Sequence, residues 1–251
     1  MFISAGYDGR EVFFVNNYST QSSPWEKLAG TTSLTGAQAA VIKQTYFLLG
    51  VSVFCAMAGG YLGSTSETVL AFLTSKIGFI VGLVALNVIP WIAMSCRHNP
   101  VLGVTALVAD GLLAGLVLSP LLAFAAQIAP SMIYAALTVT AVIFLAITGY
   151  VFVSKREFSA PKGLMIGLFA AVTAGVILNM FLSVGWLGML VSIGIGAIGV
   201  FGLVYSTSGV LRSPDADSPI PGALALFAGL FNIFVAALNI LLRLVGGGRR
   251  D

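Results

Sequence analysis

The chain alternates long apolar stretches with short polar punctuation. Windows free of charged residues run over positions 44–66, 77–96, 111–154, 163–211 and 218–242, that is, 23, 20, 44, 49 and 25 residues. A bilayer core about 30 Å thick needs about 20 helical residues per crossing, so each of the two longest windows holds two crossings. Each has a break near its middle, Gln127-Ile128-Ala129-Pro130-Ser131 in one and Ser183-Val184-Gly185 in the other. The pattern predicts an all-α integral membrane protein, a bundle of seven transmembrane helices at about 41–62, 77–94, 101–124, 132–153, 163–182, 186–205 and 220–244. A transmembrane barrel would alternate apolar and polar positions, whereas a run such as 139–145 is apolar on every face. The expected organisation is a flexible cytoplasmic tail over 1–40, a membrane domain over 41–244 and a short tail over 245–251.

Composition agrees with this reading. Of 251 residues, 58% are hydrophobic and 8% charged, against about 25% charged in soluble domains, so a water-soluble enzyme is excluded. Charge then orients the chain. If the first segment lies on side A, that side carries Arg10, Lys27, Lys43, Arg97, Lys155, Arg156, Lys162 and Arg212, while the loops of side B carry only Lys76. Basic residues stay cytoplasmic, which predicts a cytoplasmic amino terminus. Seven crossings leave Arg249 and Arg250 on the far side, against that preference, and a six-span form with a re-entrant last segment is the alternative. The first forty residues hold no hydrophobic region of signal-peptide length, so no cleavage is expected. Asn17-Tyr18-Ser19 matches a glycosylation acceptor that would be silent on a cytoplasmic tail. The cluster Val12-Phe13-Phe14-Val15 reads as one docking patch in an otherwise flexible lead. Cys55 and Cys96 imply neither a disulfide nor a metal site.

Candidate chemistry is confined to polar groups inside the spans. Asp110 is the acidic residue well inside one, ten residues past Pro100 and so about 15 Å deep by helical rise. A carboxylate there costs about 2.5 to 3.5 kcal/mol on insertion scales. Such groups mark proton or ion pathways, or else are neutral carboxyls bonded to a neighbouring helix. Asn87, Asn179, Asn232 and Asn239 read first as interhelical hydrogen-bonding residues. Small residues recur at helical spacing at Gly111 and Gly115, at Gly163 and Gly167, and at Gly194, Gly196, Gly199 and Gly202. They read as close packing within one monomer. Pro90 and Pro120 are expected kinks or points of unwinding. No HExxH, GxSxG, Walker loop or pair of Cys doublets occurs, and the single His98 sits in a loop. No catalytic apparatus, cofactor, metal or nucleic-acid partner is therefore expected. The lipid bilayer is the one partner the composition itself implies.

Several strings resemble the Bax-inhibitor transmembrane family, and within it the bacterial YccA-like branch. They are KQTYFLLG at 43–50, GLVLSPLL at 115–122, the stretch 136–155, and above all ALALFAGLFNIFVAALNILLRL at 223–244. The resemblance covers about residues 40 to 251. It implies six helices around a central seventh, and residence in a bacterial inner membrane. Calcium-leak members of the family carry two aspartates that form a pH-sensitive latch. The matching positions here are Ser206, in Tyr205-Ser206-Thr207, and Gly229, three residues before Asn232. Two carboxylates sharing a proton cannot be replaced by a hydroxyl and a glycine. The branch resemblance implies instead a modulator or slow substrate of an FtsH-like membrane AAA protease, with the amino-terminal tail as its handle. An ion or proton leak channel and a structural subunit of a larger membrane complex are the alternatives.

Overall fold

The computed structural model describes residues 36–154, 158, 162–182, 184–212 and 218–247. Residues 1–35, with the acceptor site and the docking patch, and Lys155, Arg156, Arg249 and Arg250 lie outside the described residues. Eight helices are described: α1 (Gly36–Thr65), α2 (Glu67–Thr74), α3 (Lys76–Ser95), α4 (Pro100–Ile128), α5 (Ser131–Ser154), α6 (Lys162–Leu182), α7 (Gly185–Arg212) and α8 (Ile220–Gly247). Among the described residues there is no strand.

Six helices, α1, α3, α4, α5, α7 and α8, are long and apolar enough to cross a membrane, while the apolar run of α6 is the shorter stretch Ile166–Leu182. The helices outrun the expected spans, because a helical backbone continues past the apolar window that defines a crossing. α1 begins at Gly36 and α7 reaches Arg212. Helix α2 fills a stretch read as a loop. Its signature is local: Ser66 caps the amino terminus, Glu67 sits in the first turn, where it meets the positive end of the helix dipole, and Leu73 is buried.

Cap chemistry explains the starts. Asn99 Oδ1 accepts from the Val101 and Leu102 N–H groups at 3.1 and 3.2 Å, with Pro100 at the first helical position. Ser75 closes α2 and opens α3: its N–H donates to the Phe72 carbonyl and its Oγ accepts from the Gly78 N–H at 3.0 Å. Pro90 and Pro120 lie inside α3 and α4, which continue through them, so local unwinding is not seen.

Helices meet most closely along two glycine seams. On α1, Gly59, Gly60 and Gly63 face Leu112, Gly115, Ser119 and Leu122 of α4, and a Cβ built on Gly115 would overlap the backbone of Ala56 and Gly60. On α7, Gly199 lies against the backbone of Gly229 and Ile233 in α8, and Gly196 against Ala236. Two of the small-residue pairs thus pack within the monomer as expected. Gly163, Gly167 and Gly202 have nothing within 4 Å of a built Cβ.

Helix α8 is the hub. It packs against α1, α3, α4, α5 and α7, and its Leu226, Phe227 and Ile233 join Leu49 of α1, Ala114 of α4 and Leu203 of α7 in the main core. Five helices surround it, not six, because among the described residues α6 packs only against α7. The reason is that α6 meets α7 through Gly175 on Val191 and Val172 on Gly194, while its remaining faces carry exposed apolar residues such as Ile166 and Phe169.

The seams make a stability prediction. Gly115→Leu should destabilise the bundle by about 1 to 3 kcal/mol or more, the cost of overpacking a filled site, whereas Gly167→Leu should change stability by less than about 0.5 kcal/mol, as surface substitutions do. Thermal unfolding in detergent compares the two; equal melting temperatures would contradict the seam.

Candidate functional site

Asp110 lies on α4 between Leu107 and Ala114, both buried. α4 begins at its Asn99 cap and runs to Ile128, so Asp110 lies in the first half of a 29-residue helix. The residue is 5% exposed. Leu107 shares a cluster with Leu48 of α1 and Ala223 and Leu224 of α8, and Ala114 one with Leu49 and Phe227. The face that carries Asp110 is thus turned toward α1 and α8. No hydrogen bond or ion pair to its carboxyl is present among the described residues. A neighbouring helix therefore does not hold it as a bonded neutral acid, which was one of the two sequence readings. Burying a polar group without a partner is costly, so the position carries a penalty that packing alone does not explain.

The asparagines depart from expectation. Asn87 Nδ2 donates to the Leu83 carbonyl at 2.8 Å and Asn239 Nδ2 to the Val235 carbonyl at 3.0 Å, so each bonds within its own helix instead of joining two. The i−4 carbonyl is within reach on the same face and wins over a partner across the interface. The Asn179 Oδ1 is buried without a partner, and Asn232 is half-buried. No hydrogen bond or ion pair joins any two of Asp110, Asn179, Asn232 and Asn239. They do not form one polar centre. Among the described residues no three of His, Cys, Asp and Glu come together as a metal site.

The two positions that the resemblance matches to the latch, Ser206 and Gly229, take part in the packing. Ser206 Oγ donates to the Gly202 carbonyl at 2.7 Å and lines a cavity of about 190 Å³. Val41 and Thr45 of α1, Tyr205 and Val210 of α7, and Ser218 and Gly222 at the start of α8 also line it. Its floor is tied by Thr45 Oγ1, which donates to the Pro219 carbonyl at 3.3 Å. Gly229 lies at the α7–α8 seam: a Cβ there would come 3.1 Å from the Leu203 nitrogen and 3.2 Å from the Gly199 oxygen. A side chain at 229 would therefore need its neighbours to give by a few tenths of an ångström.

Three cationic contacts were not foreseen from the sequence. Arg212 Nη2, at the end of α7, donates at 2.6 Å to the Val151 carbonyl in the last turn of α5, where a positive charge meets the negative end of a helix dipole. Ser208 Oγ, four residues earlier, accepts from the Phe158 N–H at 3.0 Å, and the Phe158 ring stacks at 5.7 Å on Tyr150. These contacts fasten the α5–α6 connection to α7. At the opposite end, Arg243 Nη1 donates to the Gly185 carbonyl at 3.1 Å and Lys76 Nζ lies 5.6 Å from the centre of the Phe181 ring. A basic residue at a predicted helix end is the available signal; its acceptor lies on another helix and cannot be read locally.

The packing, the interrupted charge pattern and the altered latch positions can be set beside known proteins. An uncharacterized protein of Neisseria meningitidis serogroup A is 31% identical over 221 residues, covering 86% of this chain and 96% of that protein. The Modulator of FtsH protease YccA of Escherichia coli K12 is 26% identical over 202 residues, 80% of this chain and 89% of that one. An uncharacterized protein of Campylobacter jejuni is 28% identical over 203 residues, with coverage of 80% and 87%. The profile of the family described as Inhibitor of apoptosis-promoting Bax1 matches residues 38–246, the whole helical bundle. With that match across all eight described helices, the chain is a multi-pass membrane protein that belongs to the Bax inhibitor family.

Proposed function

We propose that the protein is a bacterial inner-membrane partner of an FtsH-like AAA protease, which it modulates by being engaged and resisting extraction. The observation that carries this reading is the similarity to the Escherichia coli Modulator of FtsH protease YccA along 80% of the chain, joined to a bundle locked by glycine seams. A processive protease must unpack helices whose backbone groups cannot stay unpaired in lipid, at several kcal/mol for each group exposed. A chain whose α1–α4 and α7–α8 backbones are in contact resists that step. In this reading α6 completes a seventh crossing, the amino terminus is cytoplasmic, and residues 1–30 are the segment the protease grips.

The leak-channel reading keeps one specific support, the buried Asp110 carboxyl without a partner. Against it stand Ser206, bonded within its own helix, and Gly229, where a Cβ would be tightly held by Leu203 and Gly199.

Three measurements test these readings. Deleting residues 1–30 should lengthen the half-life of the protein in a pulse-chase and reduce recovery of the protease in pull-downs. Equal decay with equal recovery would remove the tail from the mechanism. In a variant whose native cysteines are replaced, a cysteine at Thr65 should label with an impermeant reagent in intact cells while one at Ser159 stays protected; the reverse pattern would invert the topology. Protein in liposomes should show no steep acid-dependent calcium flux. If it did, and Asp110→Asn abolished it, Asp110 would be the sensor and the channel reading would stand.

A further inference from the structure

We propose that the end of the bundle that holds the α6–α7 turn binds the phosphate of an anionic phospholipid between Lys76 and Arg243. Both cations converge on this turn from other helices. Lys76, the first residue of α3, reaches the Phe181 ring near the end of α6. Arg243, on the last turns of α8, reaches the Gly185 carbonyl that opens α7. Three residues separate Phe181 from Gly185, so the two charges flank one short junction.

Neither cation is neutralised. Among the described residues neither makes an ion pair, and Glu67, the acidic residue described at this end, pairs with neither. The Arg243 guanidinium is held in place by its bond to the Gly185 carbonyl and packs against Gly188, where a built Cβ would come 2.7 Å from Cζ. Arginines near helix ends reach the membrane interface with such heads. Phe181 and Trp186, 65% and 68% exposed, stand on either side of the junction. Tryptophan favours the headgroup level of a bilayer, so the depth suits a phosphate and not an acyl chain. The amino terminus of α7 adds the positive end of a 28-residue helix dipole.

Two cations without an ion pair among the described residues, an exposed aromatic and a positive helix end at one junction match the chemistry of an anionic headgroup, since basic pockets between membrane helices attract such lipids. The inference concerns the leaflet at the carboxyl end of α8, whichever side of the membrane that is, so it does not depend on the protease reading.

The test uses the full chain in nanodiscs of phosphatidylcholine containing a minority of phosphatidylglycerol, with retained lipid counted by native mass spectrometry. Phosphatidylglycerol should be enriched, and Lys76→Gln and Arg243→Gln should each lower the enrichment about fivefold. Arg243→Lys should largely keep it, since the charge remains while the Gly185 bond is weakened. Lys76 is exposed, so Lys76→Gln decides the matter alone if Arg243→Gln unfolds. Unchanged enrichment in Lys76→Gln, or equal retention of the two lipids by the unmodified chain, would overturn the site. Displacement of phosphatidylglycerol by excess inorganic phosphate would assign it to a soluble anion and also overturn the lipid proposal.

Discussion

The architecture depends on how closely helix backbones can approach. In lipid no hydrophobic force drives helices together, so contact area at short range must supply the attraction. Gly59, Gly60 and Gly63 against Gly115 and its neighbours, and Gly199 against Gly229, remove the side chains that would hold the axes apart. The other helices are arranged around these two pairs. α8 takes the central position because its seam with α7 leaves its remaining faces free for α1, α3, α4 and α5.

The same constraint acts at the positions that the resemblance matches to the latch. A side chain at 229 would meet the Leu203 nitrogen and the Gly199 oxygen at 3.1 and 3.2 Å, so those neighbours would have to give by a few tenths of an ångström. Ser206 fits because a hydroxyl satisfies itself on the carbonyl one turn back. What remains beside it is the cavity between the starts of α1 and α8 and the end of α7.

Many polar groups in the bundle bond to the i−4 carbonyl, although the hydroxyls of Ser119, Thr148 and Thr207 are buried without a partner. Ser52, Thr140, Ser192 and Ser206 all bond this way, as do Asn87 and Asn239. The groups left over are the informative ones. Asp110 has no acceptor it can use without a proton, and Arg212 and Arg243 reach carbonyls of other helices because their side chains are long enough to cross the interface.

The sequence by itself determined the class, because a bilayer sets both the length and the polarity of a crossing; of the seven expected spans, six are helices long and apolar enough to cross, and the apolar run of α6 is shorter. It located the intramembrane polar residues and the glycine spacings, and the strings at 43–50 and 223–244 carried the family, which the profile match over 38–246 bears out. Helix α2 was legible in Ser66-Glu67 and the apolar positions that follow, but its eight residues are too short for a span pattern to register. Only the tertiary structure decided which glycines face a neighbour: Gly115 and Gly167 have the same spacing signal, and one meets backbone while the other meets nothing. Only it separated α6, which touches a single helix, from the five that enclose α8. It alone turned Asn87 and Asn239 from expected bridges between helices into bonds within one, and brought Lys76 and Arg243 to the α6–α7 junction. Periodicity fixes the face a residue occupies on its own helix. Which helix lies opposite is set by the rotation and register of the packed bundle, to which every helix contributes and which no local window contains.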